Sequence, residues 1–154
     1  QKSIPDEHIF FCENSAVNAI LSYFSEQART FGITYTVSAS IPKHISISET
    51  DLSILFGNLL ENAIDACNAQ SGENKKIIVR AKTDNHSLCV TIDNTFSGSL
   101  DIDQEGHFVS SKHEGLGLGT ESIKSIAEKY GGVCQFEANN GMFYASVMCF
   151  KDHA

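Results

Sequence analysis

The sequence has no surplus of basic charge, no paired cysteines and no long apolar run, and each absence removes a class of function. Eleven Lys and Arg stand against nineteen Asp and Glu, a net charge of −8. That balance argues against nonspecific nucleic-acid binding, which requires a surface that neutralises phosphates. It leaves room for a nucleotide, whose charge can be met locally. The five cysteines, Cys12, Cys67, Cys89, Cys134 and Cys149, are scattered, odd in number and without a CxxC pair. This points to reduced thiols in a cytosolic setting rather than a disulfide framework or a zinc site. No stretch approaches the ~20 apolar residues needed to cross a membrane, and no signal-peptide pattern opens the chain, so no direct membrane contact is expected of it. The opening Gln1 leads us to expect a piece of something longer, with any anchor upstream.

What is present is the composition of an ordinary globular domain, 42% apolar and 19% charged. Residues 1–12 carry little pattern beyond Pro5 and read as an extension from a preceding segment, leaving 13–154 as one domain. Glu13 to Phe31 reads as a helix, with Ala16, Ala19, Ile20, Tyr23, Phe24 and Ala28 as its apolar positions and Gly32 as its stop. Asn14 and Asn18 are expected on its solvated face. Ile33 to Ala39 alternates like a half-exposed strand, and Ser48-Glu49-Thr50-Asp51 has the form of a capping box opening a second helix. Lys75–Thr83 with Leu88–Asp93, and Val133–Ala138 with Met142–Phe150, read as two hairpins. Between them Asn94 to Gly119 is expected to be a long glycine-rich loop, followed by a helix over Thr120–Tyr130. This order predicts an α+β two-layer sandwich: a mixed, mostly antiparallel sheet covered on one face by three helices.

The stretch Asp51–Ala69 sorts its residues most cleanly. Leu52, Leu55, Phe56, Leu59, Ala63 and Ala66 fall on one side of a helix, while Asn58, Glu61, Asn62 and Asp65 form a narrow polar stripe. Residues three and four apart stack, so two carboxamides and two carboxylates can converge on one ligand. Asn is a middling helix former, so two of them four apart in mid-helix ask for a reason. An ordinary wet face is one; a hard cation such as Mg²⁺, which accepts amide and carboxylate oxygens and shares phosphate ligands, is the other.

Glu114-Gly115-Leu116-Gly117-Leu118-Gly119-Thr120 runs straight into a helix. Alternating glycines allow close backbone approach, and the first helical amides carry unpaired N–H donors, the usual means of holding phosphate. Lys112 could add a charge; a flexible linker would look similar. No Walker Lys-Ser or Lys-Thr follows the glycines, and no GxGxxG opens a βαβ unit. Asp93 and Asn94 end the strand before this stretch, where a carboxylate could accept from an exocyclic amine or simply cap a turn. The six histidines, His8, His44, His86, His107, His113 and His153, all fall in loops or ends without metal spacing.

In their order and gaps these elements resemble the ATP-binding domain of sensor histidine kinases, in the gyrase/Hsp90/histidine kinase/MutL superfamily. Asn58-Leu59-Leu60-Glu61-Asn62-Ala63-Ile64-Asp65-Ala66 is similar to its N box, Gly115-Leu116-Gly117-Leu118-Gly119 to its second glycine box, and Asp93-Asn94-Thr95-Phe96 occupies the place of the first. The resemblance runs from Glu13 to Phe150. It implies that Asn62, helped by Asn58, ligates Mg²⁺ on the ATP phosphates, that Asp93 or Asn94 receives the adenine amine, and that residues 97–114 form a lid. Asn58 stands where related ATPases carry a water-activating Glu, as suits a kinase, and Glu61 becomes the candidate for polarising an acceptor histidine. The first box departs from DxGxG at Thr95 and Phe96. That departure, with Ser110-Ser111-Lys112 and the strand at Phe143, most resembles the AgrC-like quorum-sensing kinases. The implied partners are ATP, a response regulator receiver domain and a second copy joined through upstream helices carrying the acceptor histidine, in a protein anchored in the membrane. A serine kinase of the anti-sigma-factor type and a degenerate module acting only through protein contacts are the rival expectations.

Overall fold

A computed structural model describes residues 9–97, 101–102, 108–109 and 114–151, with the side chains of 101–102, 108–109 and 114–118 left aside. Among the described residues the order is α1 (Ser15–Thr30), β1 (Thr34–Ser40), α2 (Glu49–Ala69), β2 (Lys76–Thr83), β3 (Ser87–Thr95), β4 (Asp101–Ile102), β5 (Phe108–Val109), α3 (Glu114–Lys129), β6 (Val133–Asn139) and β7 (Met142–Phe150). Five strands form one sheet in the order β1-β2-β3-β7-β6, and β4 pairs with β5 in a separate ribbon. Only the β1–β2 pairing is parallel, with α2 as its crossover; β2–β3, β3–β7 and β6–β7 are antiparallel. The expected α+β sandwich is what the chain forms.

One face of the sheet is apolar and the other mixed. Ile77, Val79 and Ala81 of β2, Leu88, Val90 and Ile92 of β3, and Phe143, Ala145, Val147 and Cys149 of β7 are buried on the helical side. Intervening residues such as Arg80, Asp93 and Tyr144 take the other face, as the two-residue period requires. Above the sheet lies α2, wedged between α1 and α3. Its six expected apolar residues are all buried, and so are Leu60, Ile64 and Cys67. Each such Leu or Phe contributes roughly 1.5–3 kcal/mol of transfer free energy, so this helix is the centre of the core.

In α1 the buried stripe is Val17, Leu21 and Ala28, whereas Ala19 and Tyr23, expected inward, are exposed. Its two asparagines are structural rather than solvated. Asn14 is 3% exposed and caps the helix by accepting from the Val17 N–H at 3.1 Å. Asn18 Oδ1 accepts from the amides of Phe11 at 2.6 Å and Cys12 at 3.2 Å, holding the entering chain while Phe11 packs edge-on against Tyr35 and Cys12 joins the core.

The largest departure from expectation lies between the hairpins. There β3 runs on through Thr95, and α3 begins at Glu114, six residues earlier than Thr120. The glycines therefore sit in the opening turns of a helix and not in a loop. Propensity alone disfavours this by up to ~1 kcal/mol per glycine, so packing against α2 supplies what local sequence does not.

Candidate nucleotide site

The polar stripe of α2 changes character along its width. Glu61 is exposed, Asn58 and Asp65 are half-buried, and Asn62 is buried, only 8% exposed. Asn58 Nδ2 donates to the Ile54 carbonyl at 2.8 Å, one turn back, which fixes which end of the amide is free to face a neighbour. That neighbour is α3. A Cβ placed on Gly119 would lie 3.1 Å from Asn62 Oδ1, 3.4 Å from Asn58 Oδ1 and 3.5 Å from Asn62 Nδ2. Two carboxamide oxygens thus converge on the backbone of the glycine segment, and the hydrogen of Gly119 is what leaves them room.

The donor set suits a hard divalent cation, which takes amide oxygens and keeps its remaining positions for water and phosphate. Among the described residues no cluster of His, Cys, Asp and Glu offers an alternative metal site. The backbone of Gly115, Leu116, Gly117, Leu118 and Gly119 is helical, so its first N–H groups lack partners within the helix and carry partial positive charge. Thr120 is 1% exposed in the following turn. Lys112 and most of the expected lid, residues 98–100, 103–107 and 110–113, lie outside the described residues.

The structure separates Asp93 from Asn94. Asp93 turns to the face away from the helices and forms an ion pair with Arg80 at 3.1 Å. Asn94 continues the inward row of Leu88, Val90 and Ile92, is 2% exposed, and donates through Nδ2 to the Thr95 carbonyl at 3.0 Å, leaving Oδ1 as its acceptor end. Strand alternation alone would have assigned this: a residue two beyond Ile92 must share its face. Beside it the Cys67 thiol contacts the carbonyls of Lys76 at 3.6 Å and Thr95 at 3.7 Å, and burial pushes its pKa up, so it acts as an apolar wall.

A second polar cluster, which sequence reasoning missed, joins the far ends of the same two helices. Ser48 caps α2 by accepting from the Asp51 N–H at 3.0 Å, but the return bond of a capping box is replaced. The Ser48 N–H donates to the Tyr130 hydroxyl at 3.3 Å, and the Asp51 carboxylate accepts from Tyr130 at 2.5 Å and Lys129 at 2.9 Å. The Lys129 hydrogen bond, then that of Tyr130, holds the Asp51 carboxyl below its ordinary range against the opposing effect of burial. Tyr130 directly follows α3, a position from which nothing in the local sequence signals a partner 79 residues away.

Three helices over one face of a mixed five-stranded sheet, with the amide stripe of one helix against the glycine turn of another, form the sandwich of histidine kinase catalytic domains. Residues 47–149 match the GHKL domain family, and the chain belongs to that family. A probable C4-dicarboxylate sensor kinase of Bacillus subtilis (strain 168) is 23% identical over 138 residues, covering 84% of this chain. The chain spans 25% of that relative's length. The nucleotide-free catalytic domain of histidine kinase ThkA superposes with a TM-score of 0.70 at 22% identity, over 90% of this chain and 91% of that one. Histidine kinase ThkA in complex with response regulator protein TrrA gives 0.65 at 23% identity, over 92% of this chain and 41% of the other. Among the described residues no helix is long and apolar enough to cross a membrane.

Proposed function

We propose that this chain is the ATP- and Mg²⁺-binding catalytic domain of a two-component sensor histidine kinase, spanning 13–154, with 1–12 leading in from a helical dimerisation segment. The observation that carries this reading is the close approach of Asn58 and Asn62 to Gly119 where α2 meets α3. Asn62 and Asn58 are the residues to hold Mg²⁺, which when bound would neutralise phosphate oxygens. The unpaired amides in the first turn of α3, at Gly115, Leu116 and Gly117, are the donors for the phosphates, with Leu118, Gly119 and Thr120 next in the helix and Lys112 assigned as an added charge, and Asp65 completes the polar stripe. Asn94, on the inward face, is the better placed of the two strand-end residues to accept the adenine amine; Asp93 is already engaged by Arg80.

The γ-phosphoryl passes to an imidazole nitrogen of the upstream segment as the β–γ bridging bond breaks and ADP leaves. Glu61, at the exposed rim beside Asn58 and Asn62, accepts the imidazole proton. The phosphoryl group then moves to an Asp of a response regulator receiver domain. The likeness to a probable sensor kinase of Bacillus subtilis and to ThkA, which forms a complex with its response regulator, supports that partner. We assign the parent protein to a membrane-anchored homodimer of the AgrC-like quorum-sensing branch on the Thr95-Phe96 departure, with this domain on the cytoplasmic side.

Calorimetry with ATP and Mg²⁺ tests the reading. Binding that loses its Mg²⁺ dependence in Asn62→Ala is expected. No heat at millimolar nucleotide would leave only a module acting through protein contacts.

A further inference from the structure

The geometry points to Asp51 as a positioning residue for the phosphate end of the site, acting through the axial register of α3 on α2; this rests on the nucleotide reading above. The two helices run antiparallel, and the polar contacts between them include Asp51 with Lys129 and Tyr130 at one end and Asn58 and Asn62 with Gly119 at the other. The steps 51 to 62 along α2 and 119 to 129 along α3 advance about 16.5 Å and about 15 Å at ~1.5 Å per residue, so the two contacts are closely matched in length.

Gly119 has no Cβ, which would otherwise lie a tight 3.1 Å from Asn62 Oδ1; a slip by one residue would bring the bulkier Leu118 or Thr120 toward that place. Apolar contacts between helices tolerate small slides, because dispersion and burial change little with register. A buried carboxylate sharing one oxygen between a hydroxyl and an ammonium does not, since leaving a charged group unsatisfied is costly. The Tyr130 hydroxyl is inserted into the start of α2, accepting a hydrogen bond from the Ser48 N–H and donating one to Asp51, so the end of α3 is fastened to the first turn of α2 itself. Gly131, at φ +69°, and the Gly132 N–H bond to the Ala127 carbonyl at 2.8 Å lock Tyr130 in place behind the helix. The first amides of α3, which meet phosphate, therefore take their position along α2 from a carboxylate at the opposite end.

The test combines nucleotide affinity with a nucleotide-free readout. In Asp51→Asn and Tyr130→Phe, affinity for Mg·ATP is expected to fall by about tenfold and a few-fold respectively, tenfold being roughly 1.4 kcal/mol. Adenosine binding is expected to be unchanged, because the base end does not depend on α3. The effects of Asp51→Asn and Gly119→Ala on ATP affinity are expected to be non-additive, although sites so far apart ordinarily add. Without nucleotide, the Gly119 amide and Asn62 side-chain amide resonances are expected to move in Asp51→Asn. Additive effects, equal losses for adenosine and ATP, or unmoved resonances in a folded Asp51→Asn overturn the role. If the parent binds no ATP, the nucleotide reading falls, and the resonances alone still decide whether Asp51 sets the register.

Discussion

At the scale of single residues, two glycines are required for opposite reasons. A Cβ on Gly132 would meet the Met148 carbonyl oxygen at 1.7 Å, a backbone atom that cannot step aside. A Cβ on Gly119 would meet side-chain atoms at 3.1 Å and beyond, and alanine is the better helix former by ~1 kcal/mol. Gly132→Ala is therefore expected to cost stability on the order of 3 kcal/mol. Gly119→Ala is expected to leave the melting temperature level or raised and to weaken Mg·ATP binding. Melting curves beside titrations separate the two, and a stable, fully binding Gly119→Ala would remove the contact of α2 with Gly119 from the nucleotide reading. The asparagines show how far residue identity is legible. Asn58 and Asn62 could be read because the 3.6-residue period alone places them together. Asn14 and Asn18, with the same spacing, serve a cap and a captured backbone instead, and only the path of residues 11–12 reveals this.

At the scale of elements, the union of α2 and α3 has a pH dependence whose sign follows from Asp51. Its carboxyl is held below the unfolded value of ~3.9, chiefly by Lys129 and then Tyr130, so its contribution to stability is complete above about pH 4 and fades as pH falls through the lowered folded value. The neighbouring Cys149 thiol, pushed up to about 11 by burial and then by the Asp51 charge, stays neutral throughout. Asp51→Asn is expected to melt a few degrees below the parent at pH 7, with the gap closing on acidification toward pH 3. A gap that stays constant with pH would mean that the carboxylate charge contributes nothing. Elements were legible where period and caps agreed: α2, both hairpins and the Ser48 cap follow from local chemistry. The start of α3 was not. Three glycines in five residues describe a loop by every local rule, and α3 forms there through its packing against α2, which the local sequence does not show.

At the scale of the molecule, the two ends of the helical layer are chemically distinct, and the distinction bears on which histidine can be phosphorylated. The exposed His86 lies in the β2–β3 turn, where its carbonyl accepts from Lys151, next to Phe150, whose N–H donates to the Tyr130 carbonyl. His44 lies near the same end, two residues before Ser46, which bonds the Lys151 carbonyl. Both sit with the Asp51 cluster, a helix length of about 15 Å from Gly119 and Asn62, whereas in-line transfer needs reacting atoms about 3–3.5 Å apart. Neither can receive a phosphoryl group held at the Gly119 end of its own domain. At that end Glu61 is exposed beside Asn58, where it can meet a histidine brought in on another segment. With radiolabelled ATP the domain alone is therefore expected to gain no acid-labile phosphate on His44 or His86. A helical hairpin carrying the histidine of the upstream segment, added in trans, is expected to become labelled, and Glu61→Gln to slow that labelling by about 10²-fold, a general base's ordinary share, with ATP affinity unchanged. Labelling of His44 or His86 in the isolated domain would mean that nucleotide is held at the Asp51 end of the helical layer, and the orientation argued from Asn62 and Gly119 would have to be reversed.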